Sequence, residues 1–78
     1  MPVNSVILGD EAFDMNYLEN NPKAQAKFIQ WIDAGRPVFI KLDMDTIVDQ
    51  NGKLVSIDVL PDEVTHYDSQ GNVTYYEK

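Results

Sequence analysis

The 78 residues predict an α+β domain: one amphipathic helix packed on a four- to five-stranded, mostly antiparallel sheet built from two hairpins. Three observations carry this. Residues Val38 to Val48 alternate with period two, as a strand with unlike faces requires. Asn51-Gly52 follows, the pair best suited to the positive φ angles of a type I′ hairpin turn. Upstream, Asn21-Pro22 and Gly35 bracket a helical pattern with a capping acceptor, a first-turn proline and a left-handed terminator.

The central stretch Val38 to Val59 reads as one long hairpin. Folding about Asn51-Gly52 sets Val48 opposite Val55, Thr46 opposite Ile57 and Met44 opposite Val59. Phe39, Ile47, Leu54 and Leu60 then share the face away from the helix. Either the N-terminal segment covers that face or it is an exposed apolar patch that binds something.

Before it, Val3 to Leu8 reads as a strand ending at Gly9. Asp10 to Asn20 reads as a short helix capped by Asp10, with Phe13 and Tyr17 one turn apart, or as an acidic loop pinned by those aromatics. On the main helix a 100° advance gathers Trp31, Ala24, Phe28, Ile32 and Ile29 on one arc. Lys23 and Lys27 stand near the helix start and Asp33 near its end, each at the disfavoured pole of the helix dipole. The simplest reason is that both lysines face the acidic segment Asp10 to Glu19.

After Pro61, Glu63 to Asp68 and Asn72 to Glu77 form a second hairpin about Ser69-Gln70-Gly71. The two turns share an Asp-x-x-Gly-x-(Leu/Val) pattern, starting at Asp49 and Asp68. Two copies are too few for a solenoid, so the repeat is read as shared turn chemistry.

Composition narrows the function classes. There is no cysteine, hence no disulfide framework or thiolate metal site. The hydrophobic content of 44% suits a folded domain rather than a disordered chain. No apolar run approaches a membrane span and no signal peptide is evident, so a single cytoplasmic domain over residues 1–78 is expected. The net charge of −7 disfavours direct contact with nucleic acid or anionic membrane and favours a basic partner.

The hairpin register places Asp45 opposite Asp58, with Asp43 on the same face. Like charges directly opposite destabilise a sheet, so a hard cation or a basic partner would give them a purpose. A solvated acidic face is the simpler account, and no cofactor or metal is expected. Asp49-Gln-Asn-Gly-Lys resembles a calcium loop only superficially, because Gly52 at the sixth loop position would make Ile47 the first ligand. Ser56, Asp58 and His66 follow no catalytic spacing, and His66 is expected to pack beside Tyr75 or Tyr76.

A non-enzymatic protein-binding module is the expected function. Phe39, Ile47 and Leu54 would form an apolar centre, rimmed by Asp43, Asp45 and Asp58. The alternative is an acidic inhibitor that mimics DNA toward a nucleic-acid-binding enzyme. Homodimerisation through a sheet edge or the second sheet face is compatible with either.

Overall fold

The computed structural model describes residues 4–43 and 45–77, the last three by backbone alone. Val3, Met44 and the side chains of Tyr75 and Tyr76, on which some of the expectations above fall, lie outside the described residues. The domain is α+β. Its strands are β1 (Ser5–Leu8), β2 (Glu11–Asp14), β3 (Phe39–Lys41), β4 (Ile47–Val48), β5 (Leu54–Val55), β6 (Glu63–Tyr67) and β7 (Val73–Glu77). The helices α1 (Met15–Asn20) and α2 (Pro22–Asp33) lie between β2 and β3, and a single 3-10 turn (Ile57–Val59) follows β5. The described strands form one seven-stranded sheet in the order β5-β4-β3-β1-β2-β6-β7. All neighbours are antiparallel except β2 and β6, which run parallel.

The main helix forms where its caps predict. The Asn21 side chain accepts from Ala24 N at 3.0 Å, Pro22 opens the helix, and Gly35 follows it with φ +74°. The preceding segment differs from expectation. Residues 11–14 are strand, and the helix begins only at Met15, capped by Asp14 through Asn16 N at 2.8 Å. Asp10 instead sits in the two-residue β1–β2 turn behind Gly9, whose φ of +66° suits the first central position of a type II′ turn. The four-residue spacing of Phe13 and Tyr17 imitates a helical stripe, yet Phe13 stands on β2 and Tyr17 on α1 with their rings stacked at 6.1 Å. Tyr67 joins them, 5.0 Å from Phe13.

The long hairpin is also corrected. The chain reverses twice, first between β3 and β4 and then between β4 and β5, which raises the strand count above five. At the first reversal Leu42 N donates to Thr46 O at 2.9 Å, and Asp43 folds its carboxylate onto Asp45 N at 2.8 Å. The pairs Ile40–Val48 and Lys41–Ile47 join even positions to even and odd to odd. Alternation therefore survives the reversal, which is why one unbroken strand looked sufficient.

At the second reversal the register is Ile47–Val55 and Val48–Leu54, one residue away from the expected pairing. Asn51 does not adopt positive φ; only Gly52 does, at +80°. The loop is thus three residues, Gln50 to Gly52, a type I turn closed by a glycine bulge. Asp49 selects it, accepting from Asn51 N at 2.8 Å and Lys53 N at 3.0 Å. Asp68 does the same with Gln70 N and Asn72 N, both at 2.9 Å, and Gly71 repeats the bulge at φ +81°. The Asp-x-x-Gly repeat is one turn used twice.

A one-residue slip flips the second arm. Val55 joins Ile47 on one face of the sheet, and Leu54 moves to the other with Val48 and Ile40.

Chain path decides what covers each face. From β2 to β3 the chain crosses only β1, so α1 and α2 cover the middle of the helix-side face. Val6, Leu8, Phe13, Leu18, Ala24 and Val38 form the core there, with Phe28 and Trp31 against it. From β5 to β6 the chain must pass β4, β3, β1 and β2, and it does so across the opposite face. Ile57 and Leu60 thereby join Ile7, Ala12, Ile47 and Val64 in a second core.

Candidate functional site

The six residues expected to form a binding surface are not brought together. Ile47 is 3% exposed and Phe39 packs against the same cluster, so both belong to the second core, which Leu60 joins from the β5–β6 connection. Leu54 is 69% exposed but lies on the opposite, helix-side face. Asp43 and Asp45 occupy the β3–β4 turn, and Asp58 sits on the 3-10 turn, where its backbone N–H is capped by Ser56. The facing pair Asp45–Asp58 does not form, and the cation reading loses its geometry. Asp43 is held below the usual carboxylate range by its hydrogen bonds to Asp45 N and the Thr46 side chain.

The helix side carries a different surface. Helix α2 lies over the β1–β2 half, so the faces of β3, β4 and β5 continue beyond its flank. There a depression of about 300 Å³ is lined by Val6, Leu18, Phe28, Ile32, Val38 and Ile40, with Met15 and Gln50. A second, about 460 Å³, shares Leu18 and Phe28 with it and adds Ile29, Gln25 and Glu19. Together they make one apolar trough along the helix. Ile29 and Ile32 stay 56% and 41% exposed beside it, and Leu54 projects from the same side of the sheet.

Charge is sorted across α2. A 100° advance sets Lys23 and Lys27 on the flank opposite Ile32. Lys27 ion-pairs with Glu11, whose other carboxylate oxygen accepts from the Tyr67 hydroxyl at 2.9 Å. The pairing explains one of the two cations near the helix start: it answers the acidic segment. Arg36 stacks 4.6 Å over the Trp31 ring, and with Lys27 it borders a separate shallow depression past the far flank. Glu19 stands in the lining of the trough and, among the described residues, no cation does.

His66 lies on the second face, in register with Ala12 on β2. Burial first, and the positive charge of Lys41 second, hold its pKa below the ordinary 6.5. Lys41 is itself buried, in register with Ser5 on β1 and Ile47 on β4. Among the described residues no group of three His, Cys, Asp or Glu could hold a metal ion. Among them also, no helix is long and apolar enough to cross a membrane.

From the sequence, Ile40 on the alternating strand and Phe28, Ile29 and Ile32 on the helix are all expected between helix and sheet, not at an open surface. One signal points elsewhere: the apolar arc from Trp31 to Ile29 is about 160° wide, beyond the ~100° of a minimal core-facing stripe.

Compared with known proteins, the chain matches no family model, no curated protein and no solved structure. The functional reading accordingly rests on the trough and its charge.

Proposed function

We propose that this domain is a protein-binding module whose trough between α2 and β3 receives an apolar, basic-flanked helical segment of a partner protein. One observation carries the reading: an exposed apolar channel with the Glu19 carboxylate in its lining runs along one flank of α2, while Lys27 and Arg36 are engaged on the other. Apolar side chains spaced i, i+3 and i+4 on a helix suit such a channel, and hot-spot burial there would supply affinity. The net charge of −7 would steer a cationic segment and repel an anionic one.

A titration with two model amphipathic peptides, one of leucine and lysine and one of leucine and glutamate, tests this. The lysine peptide should bind with saturation, and Ile32→Lys should abolish binding while leaving the circular dichroism spectrum unchanged. Equal binding of both peptides, or full binding by the Ile32→Lys variant, contradicts the proposal.

A further inference from the structure

The sheet ends on one side at β5, a two-residue strand that runs at once into a 3-10 turn. It ends on the other at β7, whose five residues read Val-Thr-Tyr-Tyr-Glu. Sheet edges are ordinarily guarded by lysine, proline, a bulge or extreme shortness. Within β7 there is no lysine or proline, the strand pairs with β6 without interruption, and the first charge is Glu77 at its end.

Hydrogen-bond phase identifies which groups of β7 face outward. Asp68 N donates to Asn72 O, which makes 68 and 72 a hydrogen-bonded pair. Antiparallel ladders alternate, so His66–Thr74 and Val64–Tyr76 are the next such pairs. Thr65 N, pointing the other way, donates to Asp10 O beside β2 at 2.8 Å, which confirms the phase. The N–H and C=O groups of Val73, Tyr75 and Glu77 therefore point away from β6.

From this we propose that β7 pairs antiparallel with β7 of a second copy of this chain, about a two-fold axis at Tyr75, joining two sheets into one. With outward groups at the first, third and fifth positions, a register centred on the third residue engages the most of them. That register matches Val73 with Glu77 and Tyr75 with Tyr75, using all three outward residues of each copy. It also sets Glu77 opposite Val73 rather than opposite another carboxylate, which would oppose pairing. Each copy carries −7, so screening by salt strengthens this contact, whereas salt weakens the capture of a basic segment in the trough. The two proposals thus fail independently.

Sedimentation equilibrium over a concentration series decides it. The native chain should approach twice its 8.9 kDa mass, more readily at high salt. Tyr75→Pro removes one outward N–H and spares the bonds to β6; it should leave a monomer with an unchanged circular dichroism spectrum. Tyr75→Val keeps that N–H and should keep the dimer. If the proline variant fails to fold, hydrogen exchange on the native chain serves instead. The amides of Val73, Tyr75 and Glu77 should gain protection with concentration, while those of Thr74 and Tyr76 are protected throughout. A native chain that stays monomeric, a dimer surviving Tyr75→Pro, a dimer lost in both variants, or outward amides indifferent to concentration overturns the proposal.

Discussion

The Trp31 indole lies against Gly9, so close that a β-carbon there would come within 2.8 Å of its Cη2. This contact joins the last turns of α2 to the β1–β2 turn. The indole N–H donates to Pro37 O at 2.7 Å, fixing the chain's exit from the helix as well. Gly9→Ala meets both the ring and a backbone conformation at φ +66° that L-residues avoid. A loss of about 2–3 kcal/mol is expected from the strain and overpacking together. Urea denaturation measures it, and Gly35→Ala, where nothing lies within 4 Å, should lose less.

Ile47 and Leu54 should separate sharply. Ile47 is buried in the second core with Ile7 and Leu60, so Ile47→Ala should cost about 2–4 kcal/mol by cavity formation. Leu54 is mostly exposed, and Leu54→Ala should stay within about 0.5 kcal/mol. The expected long-hairpin register would make the two comparable. Denaturation midpoints of both variants distinguish the registers.

The two Asp-x-x-Gly turns should behave alike. Each aspartate satisfies two backbone N–H groups, Asp49 those of Asn51 and Lys53, Asp68 those of Gln70 and Asn72. Asp49→Ala and Asp68→Ala should each lose about 1 kcal/mol, read as a shift of the urea midpoint at constant slope.

His66 gives the domain a pH dependence of definite sign. Burial and Lys41 lower its folded pKa below 6.5, so the unfolded chain binds the proton more readily. Its contribution to stability is full above about pH 6.5 and is lost as pH falls through the folded value. An NMR titration of this single histidine should give a midpoint below 6.5, and His66→Gln should flatten the stability profile between about pH 7 and pH 5.

What the sequence made legible follows the range of the interactions. The α2 boundaries rest on neighbours in the chain: Asn21 bonds Ala24, Pro22 opens the helix and Gly35 follows it, all signals local enough to be visible in the sequence. The second hairpin, Glu63 to Glu77, is likewise legible from its turn residues, Asp68 and Gly71. The first turn misled because Asn-Gly is so strong a type I′ signal, although Asp49 had already committed the loop to three residues. Its partner turn, which lacks Asn-Gly, held the correction. Strand β2 is hidden because Phe13 and Tyr17 imitate a helical stripe and because only one of its neighbours is local: Ala12 pairs with Ile7 across the Gly9–Asp10 turn and, in parallel, with the distant His66. The candidate surface moved with the register, since one residue of slip carried Leu54 from the Ile47 face to the trough side. How far α2 covers the sheet depends on strand order, which no local pattern encodes.

The most direct measurement is an NMR titration of the isotope-labelled chain with the leucine–lysine peptide, mapping the amides that shift. The account predicts the largest changes at Leu18, Phe28, Ile29, Ile32 and Ile40, around the trough. Changes confined to Asp43, Asp45 and Asp58, with the trough residues silent, would contradict it.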